Sequence, residues 1–207
     1  MVKEILFATS NQGKVRELKE AFKQAGVNLD IKTNADLDNP PHPIESGKTF
    51  EANAKIKAHE LADFSGLPTI ADDSGLMVDK LNGAPGVRSA RYAGEAHNDA
   101  HNNAKLLTEL GGVPQEERTA KFNTTIVVSM PNHFDKDLVV SGQCEGEIMP
   151  GPRGEDGFGY DPLFYVPEKK KTFAEMTTDE KNEISHRGRA VKKLLKELPA
   201  WLAQFEN

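Results

Sequence analysis

Two adjacent aspartates, Asp72 and Asp73, follow the apolar Ile70-Ala71 and precede Ser74-Gly75. Carboxylate oxygens suit Mg²⁺, which usually keeps several of its waters. A water held by a metal or a carboxylate is a ready nucleophile for phosphorus. The plainer reading of Asp72-Asp73 is an Asx-turn that closes a strand. Neighbouring strand residues point to opposite faces, so the two acids enter one site only if the chain turns there. Glu45 adds a carboxylate from a loop, and Glu51, Lys55 and Lys57 gather around the next helix. Glu51 and Lys55 have the spacing of an i,i+4 surface pair.

A second candidate is Thr9-Ser10-Asn11-Gln12-Gly13-Lys14. It lies between an apolar run and a helical pattern, where backbone N–H groups and the helix dipole favour an anion and Lys14 adds charge. It lacks the leading glycine and the final Ser/Thr of a Walker A loop. An ordinary helix cap with a surface lysine is the simpler alternative.

A third group is chemically different. Gly157-Phe158-Gly159-Tyr160-Asp161-Pro162 brings aromatic rings and glycines together. A ring can stack on a base, and glycines let backbone approach a ligand; a turn before a strand is the default for such a motif. Lys181 and Ser185-His186-Arg187 supply hydrogen-bond donors near the start of the last helix. Capping and a basic surface explain them equally well. Cys144 reads as a small core residue.

The elements that position these residues follow from apolar spacing. Ile5 to Thr9 reads as a buried strand, and Val15, Leu18, Phe22 and Ala25 recur at helical spacing up to Gly26. Leu29 to Lys32 completes a βαβ pattern. Residues 33–47 hold three prolines and read as a loop. Thr49 caps a helix from about Phe50 to Phe64, which Gly66 and Pro68 close. Leu67 to Ala71 is the next strand and delivers Asp72-Asp73 to a strand end, where open α/β sheets bind ligands. Asn98 caps a helix that stops at Gly111. Thr119 to Met130 and Leu138 to Ile148 are two long strands with the look of a hairpin. The last helix carries Val191, Leu194, Leu195, Leu198, Leu202 and Phe205 on one face, with a bend expected at Pro199.

These segments give an α/β fold in one domain over 1–207, with a second lobe centred on about 119–150. Of the 207 residues, 37% are hydrophobic and 28% charged, enough for a core and a soluble surface. The net charge of −6 argues against nucleic-acid backbones, which need a basic face. A small anion remains open, because a few local cations can hold it. One cysteine excludes an intrachain disulfide framework and fits a reducing compartment. The start has no signal-peptide character, and no run reaches the ~18 apolar residues of a membrane span. A cytoplasmic location is expected.

Taken together, the motifs resemble the inosine/xanthosine triphosphate pyrophosphatases of the Ham1/RdgB family. The matching stretches are Thr9–Lys14, Ala71-Asp72-Asp73-Ser74-Gly75-Leu76, Gly83-Ala84-Pro85-Gly86, Ser89-Ala90-Arg91-Tyr92, Gly157–Pro162 and Ser185-His186-Arg187. They run in family order over nearly the whole chain. Ser10 stands where many members have glycine. The resemblance implies a mixed, elongated sheet with flanking helices, two lobes around a central nucleotide-binding cleft, and a homodimer. It implies Mg²⁺-dependent hydrolysis of abnormal purine nucleoside triphosphates (ITP, dITP, XTP) to the monophosphate and pyrophosphate, a house-cleaning role in nucleotide metabolism. Carried over by position, Asp73 is general base and metal ligand, Glu45 a second metal ligand, and Lys57 a lysine near the phosphates. Thr9, Ser10, Asn11, Gln12, Gly13 and Lys14 form the triphosphate loop. Ser74, Phe158, Gly159, Tyr160 and Asp161 contact substrate, and Lys181, His186 and Arg187 recognise the base.

Donor/acceptor logic fits that assignment. Hypoxanthine and xanthine carry a 6-oxo acceptor where adenine carries an amino donor. A donor-lined pocket can reject the mismatched group by as much as ~10⁴-fold. GTP is also 6-oxo, so its exclusion must involve the 2-position. Two other readings stay open at this level. One is a pyrophosphatase for modified pyrimidine nucleotides, as in the Maf-type proteins. The other is a nucleotide sensor without turnover, against which the joint presence of Asp73, Glu45 and Lys14 speaks.

Overall fold

The computed structural model describes residues 2–94 and 97–206. Seven strands form one mixed sheet in the order β2-β1-β3-β4-β5-β6-β7. They are β1 Glu4–Phe7, β2 Asp30–Thr33, β3 Thr69–Val78, β4 Thr119–Ser129, β5 Leu138–Ile148, β6 Phe164–Val166 and β7 Lys171–Thr172. The helices are α1 Gln12–Gln24, α2 Phe50–Ser65, α3 Asp99–Glu109, α4 Thr178–Ile184 and α5 His186–Ala203. The α/β expectation is borne out. The chain divides into two compact units. The first holds Met1–Asp73, Thr125–Ser141 and Ala190–Asn207, and the second Ser74–Thr124 and Gly142–Arg189.

In the first unit, β1 pairs in parallel with β2, from Glu4↔Asp30 to Phe7↔Thr33. On its other side β1 pairs in parallel with the start of β3, Leu6↔Thr69 and Phe7↔Ile70. The sequence β1-α1-β2-α2-β3 thus places β1 between β2 and β3, a point where connections leave in opposite directions and ligand crevices form. Val15, Leu18 and Phe22 of α1 pack with Ile5, Phe7, Ile31 and Ile70. Ala54 and Ala58 of α2 pack with Ala71 and Val127. Ile70 and Ala71 are strand neighbours and point to opposite faces, so α1 and α2 cover opposite faces of the sheet. Small residues in the α2 contact let that helix lie close to the strands. Leu194, Leu198 and Trp201 of α5 join the α1-side core, and the helix continues through Pro199.

The caps expected at Thr49 and Asn98 are present, and Asn11 caps α1. Asn11 accepts from Gly13 N and Lys14 N, Thr49 from Ala52 N, and Asn98 from His101 N. Gly66 ends α2 with φ 69°, in the left-handed region that glycine enters without a Cβ penalty.

The second unit has a separate core in which Phe122, Phe164, Phe173, Leu76, Leu106 and Leu163 are buried together. Here β5 pairs antiparallel with β6 and β6 with β7. The short strands β6 and β7 and the helix α4 carry too little periodicity to be read from sequence. One expectation needs correction. β3 does not end at Ala71: it runs through Asp72, Asp73 and Ser74 to Val78, so these residues are extended backbone rather than a turn.

Candidate active site

β1 ends at Phe7, opposite Ile70, and the chain leaves into the Thr9–Lys14 loop while β3 continues. The residues of β3 just beyond that point are Ala71, Asp72 and Asp73. Because the strand stays extended, its two aspartates are delivered to opposite faces. Asp72 meets Lys14 at the start of α1, with 2.7 Å between Nζ and Oδ2. Asp73 meets α2, where Asn53 Nδ2 donates to its Oδ2 at 3.1 Å. Two buried acids can stay in one strand because each meets a polar partner from a different helix.

Lys57, one turn beyond Asn53 on α2, joins the parts. Its Nζ donates to the backbone oxygen of Asp72 at 2.6 Å and lies 2.6 Å from Oε1 of Glu45. Burial by itself would lower the Lys57 pKa. The charges of Asp72, Glu45 and Asp73 outweigh it and leave the ammonium above its ordinary value. For Asp73 burial prevails over the opposing charge. The residue is 8% exposed, and burial pushes its carboxyl up to about 6. Lys57 and the Asn53 hydrogen bond oppose that rise, while Glu45 and Asp72 add to it. The cluster pairs three acids with two lysines, a formal charge of −1 when all are ionised.

The donor set fits Mg²⁺. Asp73 and Glu45 offer hard carboxylate oxygens, and each acts electrostatically on Lys57 or on the other. Among the described residues, no three His, Cys, Asp or Glu side chains already form a metal-ligand group.

The Thr9–Lys14 loop is a well-formed helix cap. Asn11 Oδ1 accepts from Gly13 N at 2.9 Å and Lys14 N at 3.2 Å, and Asn11 N donates to Thr9 Oγ1. These internal bonds compete with a phosphate for the same N–H groups. The cap does not use the N–H of Ser10 or Gln12.

The second unit gathers the remaining candidates. Ser74 Oγ and Thr124 Oγ1 are 2.8 Å apart. Phe158 is 49% exposed, the one open aromatic ring of its loop. Lys181 Nζ lies 4.8 Å from the Phe158 ring centroid and Arg187 Cζ 5.7 Å, both within cation–π reach. Asp161 is buried. It accepts from Phe158 N at 3.0 Å and pairs with Lys181 Nζ, so it fixes both the aromatic loop and the lysine. Tyr160 is also buried and donates its hydroxyl to Ser89 O. His186 stacks on Phe122, centroids 4.7 Å apart, at the start of α5.

Residues not singled out in the sequence complete this arrangement. Asp99 Oδ2 accepts from Gly159 N at 2.8 Å, and Asn103 Nδ2 donates to Gly159 O at 3.0 Å, so the first turns of α3 hold the glycine loop from both sides. Gly157 has φ 83°, and a Cβ there would lie 2.2 Å from Asp161 Oδ2. A glycine is therefore required beside that carboxylate. In the first unit the unanticipated residue is Asn53. An asparagine in the first turn of a helix is ordinary, and no local signal marked it.

Known proteins share this arrangement of chain. A sequence model of the Ham1 family matches residues 5–197. The dITP/XTP pyrophosphatase of Lactobacillus acidophilus is 78% identical over 200 residues, covering 97% of this chain and 99% of that one. The dITP/XTP pyrophosphatase of Geobacillus kaustophilus is 52% identical over 193 residues, 93% of each chain. Among solved structures, a HAM1 protein from Coxiella burnetii superposes with a TM-score of 0.90 at 40% identity, covering 96% of this chain and 100% of that one. The Staphylococcus aureus Ham1 protein gives 0.86 at 41% identity, covering 96% and 99%.

Proposed function

The chain belongs to the Ham1 family, and from that premise we propose that it is a nucleoside-triphosphate pyrophosphatase acting on dITP, XTP and ITP. It hydrolyses them to the monophosphate and pyrophosphate and so clears them from the nucleotide pool. The observation that carries the reading is the Asp73 carboxylate, buried on β3 with its pKa pushed up to about 6 and held by α2. Such a group is ionised at neutral pH yet basic enough to accept a proton.

In the reaction, water attacks the α-phosphorus and the bond from that phosphorus to the bridging oxygen breaks. The electron pair of the broken bond leaves with pyrophosphate. Asp73 takes the proton of the attacking water. Lys14 and Lys57 stand where an anionic phosphate can share or replace their present carboxylate contacts. Their positive charge then meets the negative charge that grows on the leaving group. Asp73 and Glu45 would hold Mg²⁺, which would supply charge neutralisation at the phosphate oxygens. The loop from Thr9 to Gly13 offers backbone donors to the phosphates, at the expense of part of the Asn11 cap.

The aromatic and basic group of the second unit is assigned to the base. Phe158 offers an exposed ring for stacking. Lys181, His186 and Arg187 bring donors suited to a 6-oxo purine, and Ser74, Gly159, Tyr160 and Asp161 complete or support the contact surface. Asp161 does its part through Lys181 and the Phe158 backbone.

The reading extends to a cytoplasmic homodimer without nucleic-acid or membrane partners. Among the described residues, no helix is long and apolar enough to cross a membrane. Sedimentation velocity tests the dimer, with one species expected near twice the 22.7 kDa chain mass. The activity is tested by pyrophosphate release from dITP, XTP, ITP, GTP and ATP, with and without Mg²⁺. Release is expected from the first three, and only with the metal. Equal turnover of ATP or GTP, or full turnover in excess chelator, would sink the corresponding part of the reading.

A further inference from the structure

Asn53 is 1% exposed and lies in the first turn of α2. A buried amide there is costly unless both of its ends are satisfied. Both are. Its Oδ1 accepts from Gly47 N at 2.7 Å, and its Nδ2 donates to Asp73 Oδ2 at 3.1 Å. The network fixes which end of the amide is which. Gly47 N–H can only donate, so the oxygen must face it, and the NH₂ must face Asp73.

That one side chain therefore ties together two separate segments, one through a carboxylate and the other through a backbone N–H. One is β3 at Asp73. The other is the loop at Gly47, two residues after Glu45. The loop is pressed against the helix: a Cβ at Gly47 would lie 2.6 Å from Asn53 Oδ1 and 2.7 Å from Ala52 Cβ. Both distances are too short for any real side chain, so only glycine permits this approach. Among the described residues, the Glu45 side chain is held by its contact with Lys57.

We propose that Asn53 is a positioning residue that sets the placement of Asp73 and, through Gly47, of Glu45, and thereby sets metal affinity and turnover. The proposal rests on the reading of Asp73 and Glu45 as the metal-holding pair. Groups that orient metal-holding side chains typically change metal affinity or activity by about 10–100-fold when removed. A residue that merely filled space would lower stability and leave affinity unchanged.

The test uses two variants of the full chain. Asn53→Leu keeps the branched outline of the side chain, with bulkier ends, and removes both hydrogen bonds. Gly47→Ala leaves the amide in place and pushes the Glu45 loop off α2. Mn²⁺ binding without nucleotide, followed by the electron paramagnetic resonance of free Mn²⁺, reads affinity directly. Steady-state kinetics with dITP and Mg²⁺ give kcat and KM, and thermal unfolding reports folding. Each folded variant is expected to bind Mn²⁺ about tenfold or more weakly and to lose kcat by a similar factor, with KM for dITP within about twofold. A lower Tm with an unchanged Mn²⁺ dissociation constant would overturn the proposal. If Asn53→Leu does not fold, Gly47→Ala decides by the same criterion. Absence of dITP turnover in the unaltered protein would instead remove the pyrophosphatase reading, and the Mn²⁺ comparison would still stand on its own.

Discussion

The acid–lysine cluster of the first unit and the aromatic–basic group of the second use the same side-chain types for different ends. In the first, carboxylates and ammoniums are buried against one another, and the balance of burial and charge moves their protonation: Asp73 is pushed up to about 6, and Lys57 is held above its usual value. In the second, the one buried acid, Asp161, is committed to Lys181 and to a backbone N–H, and the group that faces outward is an aromatic ring. An acid placed to change its proton belongs to chemistry. An acid placed to hold a lysine and a loop belongs to recognition. The difference lies in what surrounds the carboxylate rather than in the carboxylate.

The comparison breaks most visibly at Asp73. Asp73→Asn keeps the shape and removes the proton acceptor, and kcat for dITP is expected to fall by about 10³-fold with the far-ultraviolet circular dichroism unchanged. A kcat within a few-fold of the original would remove Asp73 from the chemistry.

The same variant should be more stable than its parent without metal. Folded, Asp73 holds its proton up to about pH 6, against an ordinary value of 3.8. Between those values the folded chain binds more protons than the unfolded one, so this group's contribution is lost as pH rises through the window. At pH 8 the ionised, buried carboxylate is unfavourable, and Asp73→Asn should gain about 2 kcal/mol in urea unfolding. At pH 3, where both forms are neutral, the gain should vanish. A loss at pH 8 would mean that the ion contacts outweigh burial.

On the recognition side the effects are smaller and of another kind. Phe158→Ala should raise KM for dITP about tenfold, in line with one lost base–aromatic contact, with kcat within about threefold. A collapse of kcat would move Phe158 to the chemical side of the comparison. The smallest expected change is for Lys181→Met, a loss of about fivefold in the preference for dITP over dATP, read from the ratio of kcat/KM values.

Much of the first unit was legible because its signals are local. Val15, Leu18 and Phe22 announce α1, Thr49 and Gly66 bracket α2, and the Thr9–Lys14 loop falls between β1 and α1 as expected. The course of β3 was not legible. Asp72-Asp73-Ser74-Gly75 has turn composition, and what makes it strand is its place between β1 and β4 in the sheet, with side-chain partners at residues 14 and 53. Asn53 was hidden for the same reason: its meaning depends on Gly47 and Asp73, and neither shares a periodic pattern with it. In the second unit, the Gly157–Pro162 loop was visible as a motif, but the grip of Asp99 and Asn103 on Gly159 spans about sixty residues of chain. Residues whose types suit contact with a ligand stood out in the sequence, and the residues whose hydrogen bonds hold them did not.

The pleat of β3 turns residue parity into an address. Even positions Ile70 and Asp72 go to the α1 side, and odd positions Ala71 and Asp73 to the α2 side. A shift of the strand by one residue in one direction would still present an acid to Lys14, because Asp73 would take the place of Asp72, and the α2 side would receive Ser74. A shift in the other direction would bring Asp72 to the α2 side and leave Ala71 facing Lys14. The doubled aspartate therefore tolerates a slip on the lysine side in one direction and on the amide side in the other, but never on both together. Only one alignment of β3 supplies both helices with a carboxylate at once, and choosing that alignment is part of what the two helices do.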